Sequence, residues 1–419
     1  MKKSIALVLA LAMCLTLVCS VSLADEKITL KFFHRWPNEP KFSYINNLIE
    51  SFEAANPDID VVADCVLNDS YKEKIRVQVS TDDIPDIFFS WSGAFGENLT
   101  KSGRVLALDD VIAADPEWAD LIVESQWAPF NYGGKQYGAP WSMDGKAFFY
   151  NKDVFNELGL EVPTTMSELY AVCDVLKENG YEEPISAGFS APWAVSHYMG
   201  TICQRVVDPE VLAKDYSGEG DFTDPGYILA LNTFKDLSKY MTADPCSVDH
   251  EFARNAFLYE ESPIAYLQLA ELRYVRTDAE FDYGFFNFPA VEGGKGDPGQ
   301  LTGAPEGIMI SATAPKEVQD AAIKFMKHII SYDSGFALTR DTGEISCVKG
   351  ACNEENCDAK QLEAVDLILA STEPAVWQDC ATDATIANEF MAGGQLLLTG
   401  DMTAEEVMAN VQKAAAALK

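Results

Sequence analysis

The chain has 419 residues, of which 48% are apolar and 23% are charged. These ordinary values exclude disorder, collagen and coiled coil as its main architecture, and at about 150 residues per domain the length corresponds to two or three domains. The 65 acidic and 31 basic residues give a net charge of −34, with only eight arginines and no dense cluster of them. So acidic a surface excludes nucleic-acid binding and, without a local arginine cluster, disfavours a strongly anionic ligand.

The N-terminus has the pattern of a secretory leader. Two lysines precede an apolar run at 5–18, and Ser22 and Ala24 then supply the small residues of a cleavage site. This predicts a signal peptide over residues 1–24 and an exported protein, in the periplasm or at the outer face of the cytoplasmic membrane. The two leader cysteines each follow a large residue, so a lipid anchor is disfavoured. No other stretch reaches the ~18 apolar residues of a membrane helix.

Neither the remaining cysteines nor the acidic loops predict a metal site. Eight cysteines lie outside the leader, and a chain this long builds its core without disulfides. Cys347, Cys352 and Cys357 are five residues apart, which is not a zinc spacing, so free thiols or one local bridge are expected. The loop from Asp215 resembles an EF-hand, but Gly226 stands where a bidentate Glu is needed, and an acidic surface loop is favoured. No cofactor is expected.

The first part of the chain alternates strands and helices. Residues 28–33 are β-prone, apolar residues with helical spacing run up to Asn56-Pro57, and 59–63 form the next predicted strand. A second helix over 71–79 leads to a third short strand at 87–89. This order predicts a parallel sheet with right-handed crossovers.

Further elements follow without any internal repeat. Thr165 to Glu168 and Thr403 to Glu406 form two capping boxes, each of which predicts the first turn of a helix. Other predicted strands lie at 146–150, 264–269, 281–288 and 307–311, and other predicted helices at 225–240 and 316–330.

Catalytic motifs are absent from the sequence. The four histidines are scattered, and no zinc-protease helix, nucleophile elbow or P-loop occurs. Gly294, Gly296 and Gly299 match G-x-G-x-x-G, but Pro298 lies inside the match and a strand follows it, whereas a dinucleotide site needs a helix N-terminus there. A flexible turn between two strands is favoured.

The tryptophans are more informative. Trp36 follows the first predicted strand, Trp91 follows the third, and Trp193 lies between Pro192 and Ala194. Ligands of open parallel sheets bind beyond the carboxyl ends of the strands, and a sugar ring stacks on an aromatic face while polar groups bind its hydroxyls. Any one tryptophan is as readily explained by core packing, but the set favours a carbohydrate cleft. The polar candidates are Arg35, Asp144, Glu306 and Asp379.

Segments over nearly the whole mature chain carry a family resemblance. They are ITLKFFHRW at 28–36, FEAANPDIDV at 52–61, PDIF at 85–88, GRVLALD at 103–109, GKQYGAP at 134–140, YNKDVF at 150–155, PTT at 163–165 and LTGDMTAEE at 398–406. Their number, order and spacing make the match specific. The chain resembles the family 1 extracellular solute-binding proteins of ABC sugar importers, the maltose-binding-protein-like group.

The resemblance implies an α/β, two-lobed periplasmic-binding-protein fold of type II, with the ligand cleft between lobes joined by a hinge. By the same resemblance, 25–143 plus 264–314 form the N-terminal lobe, and 144–263 plus 315–419 form the C-terminal lobe. The implied protein is a monomer without catalytic activity. It closes on a sugar or oligosaccharide and delivers it to the transmembrane subunits of an ABC permease.

The resemblance also implies which residues contact the ligand. One departure concerns 269–271, which read Leu-Ala-Glu where relatives often show Gly-Pro-Trp, so a stacking ring is missing there and the particular sugar stays open. The implied contact residues are Arg35, Trp36, Trp91, Ser92, Asp144, Trp193, His197, Glu306, Trp377 and Asp379.

Two other functions fit the same residues. A secreted glycoside hydrolase would also combine acids with tryptophans, but it needs two opposed carboxylates about 5–9.5 Å apart. A binding protein of the same fold could take a polyamine, a ferric ion or a peptide. A polyamine site uses acids and aromatics as a sugar site does, whereas the Tyr and His clusters of ferric sites are not seen.

Overall fold

A computed structural model describes residues 27–371 and 374–419, and the predicted signal peptide, residues 1–24, lies outside these ranges. The strands are β1 (Ile28–His34), β2 (Ile59–Cys65), β3 (Ile87–Trp91), β4 (Asn131–Tyr132), β5 (Lys135–Gln136), β6 (Ala139–Met143), β7 (Lys146–Asn151), β8 (Ile185–Ser186), β9 (Ile264–Gln268), β10 (Tyr283–Phe286), β11 (Glu306–Ile310) and β12 (Ile345–Ser346). The helices are α1 (Lys41–Ala55), α2 (Asn68–Val79), α3 (Ala94–Thr100), α4 (Asp109–Ala114), α5 (Pro116–Ala119), α6 (Lys152–Leu158), α7 (Met166–Glu178), α8 (Pro192–Val206), α9 (Pro209–Tyr216), α10 (Gly226–Leu237), α11 (His250–Leu258), α12 (Leu272–Asp278), α13 (Lys316–Ile329), α14 (Tyr332–Thr342), α15 (Ala359–Ala370), α16 (Gln378–Ala381), α17 (Ala384–Thr399) and α18 (Ala404–Ala417).

Six strands form the larger sheet, in the order β12-β6-β11-β3-β1-β2. β1 pairs in parallel with β2 and with β3, which confirms the strand and helix order predicted for residues 28–89. β11 is antiparallel to both β3 and β6, so β6 is parallel to β3. The carboxyl ends of β1, β3 and β6 therefore meet at one edge, together with the amino end of β11.

Four strands form the smaller sheet, in the order β10-β7-β9-β8. Because successive side chains of a strand point to opposite faces, the two faces join different cores. Phe148 and Tyr266 pack into a core with helices α7, α8, α10, α17 and α18. Phe149 and Leu267 point the other way, into the core that the larger sheet shares with α1 and α13.

The larger sheet with its helices is called the first lobe here, and the smaller sheet with α6–α10, α17 and α18 is called the second lobe. Their composition differs from the predicted boundaries at two places. β9 and β10 were assigned to the N-terminal lobe, but they pair with β7 in the smaller sheet. α13, assigned to the C-terminal lobe, packs on β1, where the rings of Phe325 and Phe32 meet edge to face at 5.5 Å.

The lobes join where β6 leads into β7 through Asp144 and Gly145. The loop from β10 back to β11 passes the same point, and a Cβ atom on Gly303 would lie 2.2 Å from the carbonyl oxygen of Asp144. Glycine is required at this position because only a residue without a side chain lets the two backbones approach so closely. At the junction, two segments of the polypeptide therefore cross in close contact.

Local signals place several elements correctly. Both predicted capping boxes form: Thr165 accepts from the Glu168 N–H at the start of α7, and Thr403 does the same for Glu406 at α18. The glycine-rich stretch at 293–299 is a turn between two strands, as predicted. It is, however, fixed against the end of α8 rather than flexible. Among the described residues, every helix falls short of the length and apolarity that a membrane span needs.

Candidate functional site

A cavity of about 290 Å³ lies between the lobes, at the edge where β1, β3, β6 and β9 end and β11 begins. Its volume is at the lower limit of the ~300–1,000 Å³ typical of small-molecule sites. The side chains around it are mostly charged or aromatic. They are Arg35, Lys41, Asn68, Lys72, Trp91, Asp144, Trp193, His197, His250, Arg254, Gln268, Glu271, Arg273, Tyr274, Glu306, Glu344, Trp377 and Asp379, with Ala270 and Cys380.

Arg35 follows β1 directly and covers the aromatic floor of the first lobe. Its guanidinium carbon lies 5.3 Å from the ring centroid of Trp36 and 5.1 Å from that of Trp91, within cation–π range. Nη1 donates to Asn68 Oδ1 at 2.7 Å and Nη2 donates to Glu306 Oε1 at 2.5 Å. The guanidinium therefore lies over indole rings that were predicted to stack on a sugar.

A second ion-pair group lies beside Arg35. Lys41 Nζ is 2.6 Å from Glu344 Oε1, and Arg273 Nη1 is 3.8 Å from the same oxygen. Burial raises the pKa of Glu344, but Lys41 and Arg273 outweigh it and hold that pKa below its usual value. The carboxylate therefore stays ionised between two cations.

Glu271 is the centre of a third group, at the end of β9. Its Oε1 accepts from Arg254 Nη1 at 3.1 Å, while Oε2 lies 2.8 Å from His250 Nε2 and accepts from the Gln268 N–H at 2.9 Å. Burial alone would raise the pKa of this carboxyl, but His250, Lys146 and Arg254 lower it to about 2. Both carboxylate oxygens are thus charged and already engaged.

Helix α8 of the second lobe and the segment before α16, whose Trp377 belongs to the core of the first lobe, build a further wall together. The His197 ring stacks on Trp377 with centroids 4.2 Å apart and meets Trp193 edge to face at 5.0 Å. Burial, with Lys146 nearby, holds the pKa of His197 well below its usual value. The neutral ring accepts through Nδ1, which is 3.2 Å from Lys146 Nζ.

Asp144 ties the junction of the lobes together. Its Oδ1 accepts from the N–H groups of Gly145 at 2.8 Å and Ala270 at 3.1 Å, and its Oδ2 accepts from Gln268 Nε2 at 2.8 Å. Burial, with Glu344 adding to it, raises the pKa of Asp144 to about 7. This carboxyl is therefore only partly ionised at neutral pH.

One ion pair joins α2 of the first lobe to α16, a short helix that contacts α3 of the first lobe and α8 and α17 of the second. Lys72 on α2 donates to Asp379 Oδ2 at 2.9 Å, and Ser196 on α8 donates to Asp379 Oδ1 at 3.3 Å. The position of Asp379 thus depends on both lobes. A movement of one lobe against the other would change this contact.

Most of the predicted contact residues meet at this cavity. Trp36 and Ser92 do not line it: Trp36 lies beneath Arg35 and against Trp141, with ring centroids 4.7 Å apart, and Ser92 is 1% exposed. The structure therefore places these two behind the wall. The predicted residues that line the cavity are Arg35, Trp91, Asp144, Trp193, His197, Glu306, Trp377 and Asp379.

Sequence reasoning missed most of the charged lining. Glu271 and Arg273 come directly after β9, so the strand-end rule that singled out Trp36 would have found them. Arg254 lies within helix α11 and Glu344 follows α14, and neither carries a local signal of a site. Only the folded chain brings these two to the cavity.

Metal-ligand groupings are absent from the described residues. Across residues 27–371 and 374–419, no group of three or more His, Cys, Asp or Glu side chains has the arrangement of a metal site. The cysteines of these ranges are free thiols, one of the two predicted alternatives. Asp215 is buried and accepts from the Phe222 N–H and the Tyr227 hydroxyl, so it shapes a turn, whereas Glu219 and Asp221 after it are exposed, as the prediction of an acidic surface loop implies.

Comparison with known proteins assigns the chain to a family. A sequence profile of bacterial extracellular solute-binding proteins matches residues 36–335. The chain belongs to this family. The resemblance seen in the sequence is thereby confirmed, and with it an extracytoplasmic solute-binding role rather than a catalytic one.

Curated relatives of this solute-binding protein have low sequence identity to it but long alignments. The alpha-glucosides-binding periplasmic protein AglE of Rhizobium meliloti is 24% identical over 74% of this chain and 71% of its own length. The multiple sugar-binding protein of Streptococcus mutans is 22% identical over 81% and 79%.

Solved structures share the fold over nearly the full length. A chitin oligosaccharide binding protein superposes with a TM-score of 0.83 at 20% identity, covering 93% of this chain and 98% of that one. A protein from a study of xylan utilization by Caldanaerobius polysaccharolyticus gives 0.83 at 22%, covering 92% and 99%. The predicted two-lobed α/β fold is confirmed.

Proposed function

We propose that this solute-binding protein captures a sugar or oligosaccharide outside the cytoplasm and delivers it to the transmembrane subunits of an ABC permease. The observation that carries the proposal is the cavity between the lobes. Trp193 of the second lobe and Trp377, in the segment before α16, line it together with hydrogen-bonding side chains of the first lobe. The names of its curated relatives, which bind sugars, agree with this chemistry.

The proposed mechanism is closure about the junction at Asp144 and Gly303. A ligand that contacts both lobes favours the state in which they are close, because only that state makes both sets of contacts. The permease then distinguishes the closed form from the open one. The protein acts as a monomer, in the periplasm or at the outer face of the cytoplasmic membrane.

The cavity supports the two alternatives less well. A polyamine would need carboxylates that can accept new ammonium groups, yet those of Glu271, Glu344 and Asp379 already contact cations. A hydrolase would need a protonated carboxyl opposite a free carboxylate. Asp144 has a raised pKa, but backbone and amide N–H groups hold both of its oxygens.

The test is calorimetric titration of the mature protein with neutral and acidic mono- and oligosaccharides, polyamines and amino acids. We expect one class of sugar to bind without being hydrolysed. Trp193→Ala should weaken that binding about tenfold or more, as truncating a central aromatic contact does. Trp127→Ala is the matched control, since Trp127 is similarly half-buried but lies away from the cavity.

Three results would contradict the proposal. Binding of a polyamine with no response to sugars would leave the family assignment intact and rule out a sugar as the ligand. Turnover of the bound oligosaccharide would indicate an enzyme. Equal losses of affinity in the Trp193 and Trp127 variants would show that the cavity is not the binding site.

A further inference from the structure

The cavity concentrates positive charge in a chain that is acidic overall. Three of the eight arginines line it, at positions 35, 254 and 273, together with Lys41 and Lys72. Five carboxylates also line it, so cations and anions are equal in number there. In the whole sequence acidic residues outnumber basic ones, 65 to 31. Folding therefore brings together a local arginine cluster that is not apparent in the sequence.

The carboxylates of the cavity have little capacity left for a ligand. Both oxygens of Glu271, of Asp379 and of Asp144 accept from protein groups. Among the described residues that line the cavity, Glu306 Oε2 is the one buried carboxylate oxygen without a partner. A hydroxyl of a neutral sugar both donates and accepts, and its O–H donor finds few free acceptors here.

Donors remain in larger number. In the described part of the chain, the buried Nε groups of Arg35, Arg254 and Arg273 have no acceptor. Arg254 and Arg273 lie against one ring, with guanidinium carbons 4.0 Å and 4.6 Å from the Tyr274 centroid. These two residues are called the arginine pair. A buried donor without an acceptor is unfavourable, and acceptor oxygens that a ligand brings to this wall would relieve that cost.

We propose that the ligand is an acidic sugar, a uronic acid or an oligosaccharide that contains one, with its carboxylate bound by the arginine pair. This inference rests on the proposed function and narrows its ligand. A guanidinium matches the two coplanar oxygens of a carboxylate in fork geometry, and Tyr274 keeps both guanidinium groups on the same wall.

The balance of charge favours a carboxylate over a phosphate. Five cations face five carboxylates, and the pKa of Asp144 is raised to about 7 by burial. Near neutral pH the lining therefore has a small positive charge, which one monovalent carboxylate balances. A phosphate monoester carries about −1.5 to −2 charges at pH 7, and would leave negative charge buried without a partner.

The test compares matched ligands on the mature protein by calorimetry. The ligands are di- and trisaccharides of galacturonate, glucuronate and mannuronate, their carboxyl-reduced neutral counterparts, and glucose 6-phosphate. We expect one uronate series to bind at least about tenfold more tightly than its reduced form, as a charge-assisted bidentate contact implies.

Each other outcome has a distinct meaning. If the reduced sugar binds as tightly as the uronate, or alone binds, this inference is overturned and the proposed function survives. If glucose 6-phosphate binds most tightly, the carboxylate assignment is overturned. If no sugar of either kind binds, the proposed function fails with it.

Variants locate the contact. Arg273→Gln should lower the affinity for the uronate about tenfold and remove the preference for the uronate over the reduced sugar. Arg273→Lys should retain only part of that affinity, because an ammonium group cannot make the bidentate contact of a guanidinium. Arg276→Gln is the control: it lies on the same helix α12, but pairs with Asp358 at 3.6 Å outside the cavity. Unchanged uronate affinity in a folded Arg273→Gln protein would overturn the assignment.

Discussion

At the scale of single residues, Asp144 shows how the junction of the lobes depends on one carboxyl group. Its three hydrogen bonds favour the ionised form, but burial outweighs them and raises its pKa to about 7. In the unfolded chain an Asp titrates near ~3.9. Between these two values the folded protein retains a proton that the unfolded chain releases. The stability due to this group is therefore complete below about pH 4 and is lost as the pH rises through about 7.

We predict that Asp144→Asn removes this pH dependence. The free energy of unfolding of the unmodified protein should fall relative to that of the variant by about 2 kcal/mol between pH 5 and 8. Urea unfolding of both proteins at each pH measures the difference. Asp236→Asn, in an exposed pair with Lys239, is the control and should run parallel to the unmodified protein. A parallel course for Asp144→Asn as well would show that Asp144 is ionised throughout.

Arg35 makes a second point at this scale. The sequence correctly places Trp36 after a strand, whereas Trp91, predicted to follow the third strand, is the last residue of β3. For both rings, the order of the side chains in depth decides their role. With the guanidinium over both rings, the first lobe presents charge to the cavity where an aromatic face was expected. No spacing in the sequence reveals which of two neighbouring residues lies on top.

At the scale of elements, the turn at 293–299 shows why a motif match needs its structural context. Arg205 at the end of α8 is 2% exposed and donates to three backbone carbonyls of the loop between β10 and β11. A Cβ atom on Gly296 would lie 1.8 Å from the carbonyl oxygen of Gln204. Gly294 and Gly296 therefore serve the packing of two backbones, and the phosphate-binding alternative has no helix N-terminus to use.

Two alanine substitutions in this turn should differ in their effect on the free energy of unfolding. Gly296→Ala forces the loop away from α8 and should lower the free energy of unfolding by about 1–3 kcal/mol, the usual range for overpacking. Gly299→Ala meets only the flexible side chain of Asp297 at 3.2 Å and should change it by less than about 0.5 kcal/mol. Urea unfolding measures both, and equal effects would mean that the turn is not packed as described.

At the scale of the whole molecule, net charge sets the response to salt. A chain with a formal charge of −34 repels itself over its surface, and dissolved ions screen this repulsion within about 10 Å at 0.1 M. Most ion pairs of its exposed surface contribute little to stability. The screening of repulsion should therefore outweigh the weakening of these pairs.

We predict that raising the salt concentration from low to physiological values increases the melting temperature. Thermal unfolding in NaCl and KCl at matched ionic strength measures it, and equal effects of the two salts would separate screening from specific binding of an ion. A melting temperature that falls with salt would show that the paired charges, including those of the cavity, dominate the electrostatic free energy.

The sequence by itself determined the family, the strand and helix order of residues 28–89, and the two helix starts marked by capping boxes. Strand alternation, helical spacing and capping boxes depend on neighbours two to four residues away, so they can be recognised in the sequence. The family resemblance named Trp193, Asp144 and Glu306, and all three line the cavity.

Only the tertiary structure showed to which lobe β9, β10 and α13 belong. It alone also showed which charged side chains line the cavity. Strand pairing and ion pairs join residues far apart in the chain, as Lys41 joins Glu344. Their distance after folding depends on the packing of whole elements and not on any local pattern. For the same reason no local pattern reveals the arginine pair, since Arg254 of α11 and Arg273 of α12 approach the same Tyr274 ring only in the folded protein.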